Sequence, residues 1–397
     1  MLLFAMVAFA DELWSGVSVV AAPSVEQEHG LDHAGYTLFV FTLPMLGSAI
    51  VDVGVAWLSD RFPRRAVVAS ALGALAIALG ASAFAPSAPL FALMLALAGT
   101  ASGAATGAAQ GELINLNDGN ATRAMTRWNA FAAGGDLCAP LVVAAVLAAG
   151  ATFRGAMLAV AALVAMQALA MSRGPDARSP AQGATSKAAD AVDADDDASM
   201  PLRQAWAIGA RDRELWIALA ATATCTLLDE IVTALAALRA ERDLATSPAF
   251  ATACLTSLAA GAVVGAIATD VAARRTSSSR ILVASALSSL VALAVVATTT
   301  STWGFLVALA LLGLTSVPHY PLLKARAYER APGTPGLVNA LDQIFVVSEI
   351  GIPLALGWVA DRFGLSVALG LLGIQPLVVL AVTVRRPRAD RGPRSEA

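Results

Sequence analysis

The stretch FADELWSGV, residues 9–17, sets two acids side by side in an apolar run, and LLDEIVTAL, residues 227–235, does the same. Around the first copy the apolar run extends from Leu2 to Pro23 without the polar face a surface helix would carry. A bilayer core about 30 Å thick is crossed by a helix of about 20 apolar residues. At ~1.5 Å per residue Asp11 then lies ~15 Å from the helix start, near mid-depth. An acid facing lipid there costs about 2.5–3.5 kcal/mol. Neighbouring helical residues lie about 100° apart, so at least one acid of each pair is expected to face the interior of a helix bundle.

The composition agrees with a membrane setting. Of 397 residues, 57% are hydrophobic and 14% charged, with a mean hydropathy of +0.70. A soluble chain carries about 25% charged residues, so most of this surface is expected to meet lipid. The net charge of −3 and the lack of a basic face speak against a nucleic-acid partner. Cys138, Cys225 and Cys254 lie in apolar runs without CxxC spacing, which indicates neither a disulfide framework nor a metal site. Cys225 and Asp229 share a helix face, but two ligands on one helix are outweighed by a buried structural thiol. No catalytic triad, phosphate loop or metalloprotease motif is present, so an enzyme is not expected, nor a cofactor. Ala8-Phe9-Ala10 has the small-residue pattern of a cleavage site, but no base precedes it and the run continues beyond the acids, so we read a first helix rather than a leader.

Twelve segments of spanning length follow one another. They lie near 1–23, 35–58, 66–85, 90–115, 128–149 and 154–172, then near 214–238, 249–271, 281–300, 303–323, 336–357 and 364–384. The intervening residues 173–212 are rich in Ala, Asp, Ser and Pro and read as a flexible cytoplasmic linker. Domains are therefore expected at 1–172 and 213–384, with a tail at 385–397. All of the 26 Lys and Arg except Arg154, Arg239, Arg242 and Arg362 fall on one side of this layout. The positive-inside rule then places linker, tail and both termini in the cytoplasm, in a multi-pass inner-membrane protein.

The halves also echo each other. AWLSDRFPRR (56–65) matches AIATDVAARR (266–275), and DLCAP (136–140) matches EIGIP (349–353). Three echoes in one order indicate two homologous six-helix bundles. Here the chain resembles the major facilitator superfamily of secondary transporters. The loop after the second helix carries that family's G-x-x-x-D-R-x-G-R-R pattern as Ala56-Trp57-Leu58-Ser59-Asp60-Arg61-Phe62-Pro63-Arg64-Arg65, with Ala56 and Pro63 in place of the glycines. The resemblance implies a gating latch of Asp60, Arg61 and Arg64, with Asp270 and Arg274 as a second copy. It also implies that the first and seventh helices line a central cavity. Gly134, Gly135 and Pro140 partly match the family's antiporter motif, while the fourth segment lacks the arginine of drug–proton antiporters.

Candidate substrate or proton sites are Asp11, Glu12, Trp14, Glu112, Asp136, Asp229, Glu230, Asp342 and Glu349. These acids outnumber the interior bases Lys324, Arg326 and His319, so internal ion pairs cannot neutralise them all. Such a chamber attracts cations or exchanges protons. Trp14 offers a ring to a cation. Asp136 and Glu349 stand four residues before a proline, where a capped kink is the structural alternative. Gly99, Gly103, Gly107 and Gly111 form a small-residue stripe for helix packing. The expected function is a proton-coupled carrier, working by alternating access, for a small cationic or zwitterionic organic solute, with an antiporting exporter as one form. Its partners are that solute, protons and lipids, and it is expected to act as a monomer. The alternatives are an uncoupled facilitator for a sugar, organic acid or lipid-like solute, and a non-transporting membrane scaffold.

Overall fold

The computed structural model describes residues 1–20, 22–31, scattered positions from 35 to 49, 62–173, 209, 211–331 and 334–384. Among them no strand occurs. The first half contains α1 (Leu2–Val20), α2 (Ala22–His29), α3 (Arg64–Ser82), α4 (Ala88–Asn115), α5 (Ala121–Ala148) and α6 (Phe153–Arg173). The second begins with α7 (Arg213–Ala223), a π-turn (Leu227–Ile231) and α8 (Val232–Arg242). It continues through α9 (Pro248–Ala273), α10 (Ser278–Thr298), α11 (Thr302–Ser316) and α12 (His319–Arg330). It ends with α13 (Pro335–Asp342), α14 (Val346–Phe363), α15 (Leu365–Leu371) and α16 (Ile374–Val384).

Ten helices among the described residues are long and apolar enough to cross a bilayer, counting the α7–α8, α11–α12 and α15–α16 runs as one each. The expected eleventh segment is interrupted: a 3₁₀ turn at Gln343–Phe345 separates α13 from α14. The expected second segment, the linker and the tail fall almost wholly outside the described residues. The arrangement is that of two six-helix bundles in a twelve-helix membrane protein. Large apolar side chains lie bare along the outside, among them Ile77, Leu141, Val291 and Trp303. That is costly in water and favourable in lipid.

One core packs α1 and α3–α6 and continues into Ala325, Tyr328, Leu337 and Leu341 of the second half. A second core packs the π-turn and α8 with α9, α10, α11, α14 and α15. Close packing in the first bundle depends on Gly135. A Cβ there would sit 2.5 Å from the Phe9 carbonyl and 2.9 Å from Glu12 Cβ, so α5 lies directly on the turn of α1 that carries the acids.

Two of the basic side chains expected at the sparsely charged end, Arg154 and Arg239, each close a helix. Arg154 donates to the Ala83 carbonyl at the end of α3, at 2.5 Å, and pairs with Glu28. Arg239 donates to the Val296 and Thr299 carbonyls at the end of α10, at 2.7 and 3.0 Å. Both satisfy carbonyls that a helix end leaves without intrahelical partners and complement its dipole.

Candidate functional site

The acids of the second half owe their placement to ATATCTLLDE, residues 221–230. Thr222 donates to the Ala218 carbonyl at 2.9 Å, Thr224 to Ala221 at 2.7 Å and Thr226 to Ala223 at 3.1 Å. Side chains that bond back to the helix compete with its amides and bend it. The α-helix stops at Ala223, and Val232 N–H reaches Leu227 across the π-turn that carries Asp229 and Glu230. Such turns insert one extra residue into a helix.

Asp229 has protein on all sides, yet its side chain and that of Glu230 are open to solvent. The two facts agree if both line an internal water-accessible space. α1 and the α7–α8 run do not pack closely on one another, which leaves room for that space. Across it, Glu12 lies within electrostatic reach of Asp136, Asp11, Asp229 and Glu230. Asp136 is also open to solvent, and its carboxyl lies close enough to that of Glu12 for the two to interact directly. Two carboxyls this close can share a single proton. Acids from α1, α5 and the π-turn thus lie within electrostatic reach of Glu12.

Asp11 is oriented differently. Its Oδ1 accepts from Ser102 Oγ at 2.5 Å and from Trp14 Nε1 at 3.2 Å, and Oδ2 accepts from Thr106 Oγ1 at 3.5 Å. The Trp14 indole also donates to Ser102 at 3.1 Å. Asp11 and Trp14 therefore tie α1 to α4. Ser102 and Thr106 went unread in the sequence, although their i,i+4 spacing places them on one face of α4.

The remaining candidates separate by level. Asp342 is paired with Lys324, whose side chain is only 3% exposed. Tyr320 lies within electrostatic reach of both Asp342 and Glu12, a chamber residue that no sequence signal marked. Glu112 is 3.8 Å from Arg64. Gly107 and Gly111 meet Asn339 and Pro335 of α13, so part of the small-residue stripe packs one half on the other. Glu349 lies in α14, but its side chain falls outside the described residues, as do Asp60 and Arg61.

Asp270 accepts from Thr126 Oγ1 at 3.2 Å across the two halves and pairs with Arg274 at 2.5 Å. Thr122 reaches Ser278 at 3.3 Å and Glu329 at 3.4 Å, and Tyr328 donates to Gln110 at 2.5 Å. All of these interhalf bonds lie toward the arginine-rich end. The Thr126–Asp270 and Thr122–Ser278 bonds border a cavity of about 670 Å³ lined by Thr122, Arg123, Asp270, Arg274 and Glu329 among others.

Two apolar bundles closed at one end, with acids from both facing an internal space, define a membrane transport protein. The family model described as Major Facilitator Superfamily matches residues 2–352, and the chain belongs to that family. Among curated proteins none matches the sequence. The fold is similar to that of the E. coli fucose:proton symporter FucP, at 14% identity and TM-score 0.74, over 96% of this chain and 97% of that one. FucP in the outward conformation gives 0.75 at the same identity and coverage. The proton:xylose symporter XylE bound to 6-bromo-6-deoxy-D-glucose gives 0.70 at 13% identity, over 96% and 93%.

Proposed function

We propose that this transporter is proton-coupled and carries a small cationic or zwitterionic organic solute through the cytoplasmic membrane. Its arginine-rich end and both termini face the cytoplasm. What supports this reading is that Asp136, Asp229 and Glu230 all lie within electrostatic reach of Glu12, and we take these four acids to line one chamber. The charges that bear on Glu12 there are all acidic. Like charges this close do not all ionise together, so the chamber holds protons until a cation takes their place. The proton between Glu12 and Asp136 is the one whose release would open a binding position in the first half.

Alternating access follows from the bonds between the halves. With Thr126–Asp270, Thr122–Ser278 and Gln110–Tyr328 in place, the cytoplasmic end is closed and the chamber is read as facing outward. Breaking these bonds lets the halves rock and opens the chamber inward. Asp270 and Arg274 then act as a gate, and Asp60, Arg61 and Arg64 are assigned the same role in the first half from the loop pattern alone. Export by exchange needs only that solute and protons compete for the same carboxyls.

The reading is tested in proteoliposomes under an imposed pH gradient, with cationic, zwitterionic and neutral solutes preselected by thermal shift at two pH values. Gradient-driven flux of a cationic or zwitterionic solute, lost in Asp229→Asn and Glu12→Gln, supports it. Flux that ignores the gradient would move the protein to the facilitator class, and full activity of both variants would remove the acids from the mechanism.

A further inference from the structure

A buried glutamine on the last helix meets the break that carries the second-half acids. Gln375 of α16 is 1% exposed in an otherwise apolar helix. Its Oε1 accepts the Leu228 N–H at 2.8 Å, and its amide nitrogen lies 3.1 Å from Nδ1 of His319, which is itself fully buried. The orientation of this amide is fixed by chemistry. A backbone N–H only donates, so the oxygen must face Leu228 and the NH₂ must face His319. His319 Nδ1 is then an acceptor and its ring proton sits on Nε2.

Leu228 needs this bond because of the register slip. Its usual helical acceptor, the Thr224 carbonyl, is taken by Leu227 at 3.1 Å, leaving Leu228 a 3.3 Å contact to Cys225. We propose that Gln375 is a positioning residue for the carrier site: it holds the π-turn that presents Asp229 and Glu230 to the chamber, and His319 holds Gln375 in the orientation to do so. The proposal rests on the reading that these acids are the site. Without the Gln375 acceptor, Leu228 keeps only the longer bond to Cys225, and the Thr224 carbonyl of a regular helix becomes the better acceptor. Deleting the inserted residue turns one side of the break against the other by about 100°. The acids would then leave the chamber with no change in their own chemistry.

The test needs neither solute nor proton coupling. In full-length protein carrying Cys138→Ala, Cys225→Ser and Cys254→Ala, a thiol is placed by Glu230→Cys and its reaction with a charged methanethiosulfonate is timed in nanodiscs. Glu12→Cys serves as the control site. Gln375→Met, which keeps length but loses the acceptor, is expected to slow labelling at 230 by about tenfold while leaving 12 unchanged. Gln375→Glu, which keeps an acceptor, is expected to restore it. Should the methionine variant fail to insert, His319→Leu frees the amide to rotate and is read in the same way. Equal labelling at 230 in the Glu230→Cys protein that keeps Gln375 and His319 and in whichever of these two variants inserts overturns the proposal. Proton-driven flux in Asp229→Asn separately decides whether the acids are the site.

Discussion

The carboxyl of Asp136 on α5 lies beside that of Glu12 on α1, where Gly135 lets the two helices touch. On the proposed function the pair acts as one proton-holding unit, so removing either member removes the unit. Glu12→Gln and Asp136→Asn are each expected to lower gradient-driven flux by more than about tenfold, and the double variant by no more than the worse single. Additive losses in a double-mutant cycle would show the two acids to be independent.

The helix contact beneath this pair is steric. Gly135→Ala puts a Cβ 2.5 Å from the Phe9 carbonyl, and overpacking of that kind costs about 1–3 kcal/mol. Gly134→Ala meets only the Phe9 ring, at 3.6 Å, an ordinary contact. Thermal unfolding in detergent should therefore separate two adjacent glycines that look alike in the sequence.

Arg239 is 4% exposed, and it closes the end of α10 with two bonds from one guanidinium. Hydrogen bonds from a charged donor contribute about 1.5–3 kcal/mol. Arg239→Leu is expected to lower the unfolding temperature and to raise hydrogen exchange in the last turn of α10. An unchanged exchange pattern there would contradict the capping role.

Thr126→Val deletes the bond to Asp270 that spans the halves. A net loss of about 1 kcal/mol changes a two-state ratio by about fivefold. Spin-label distances across the arginine-rich end should lengthen in that proportion of molecules. If the distribution stays that of the wild type, Asp270 is not part of the gate.

Glu28 lies outside the spanning segments, and the Arg154 guanidinium holds its carboxyl below the usual glutamate range. A depressed carboxyl stabilises the fold above its ordinary pKa, and the contribution disappears as pH falls through the lowered value. Both side chains are 34% exposed, so screening keeps the effect to about 0.2–1 kcal/mol. Glu28→Gln should remove that part of the acid-induced loss of stability while leaving neutral-pH transport intact.

Much of the fold was legible because lipid imposes long apolar runs, and because a repeated bundle prints its acids twice. The acids of the first pair looked equivalent in sequence, yet Asp11 turns to Ser102 and Thr106 on α4 while Glu12 turns to Asp136. Nor did the sequence separate Asp342, which Lys324 neutralises, from the acids left in the chamber. Such choices are made by groups distant in the chain, and periodicity carries no record of them.

Alone, the chain's residues determined that it crosses a bilayer repeatedly and that its halves echo each other, because apolar runs follow from local hydropathy and a repeat is visible in the sequence itself. Tertiary structure decided which acids share a space, which are paired off and at which end the halves meet. A carboxyl's role depends on what lies within a few ångströms of it, and in this protein those neighbours arrive from other helices.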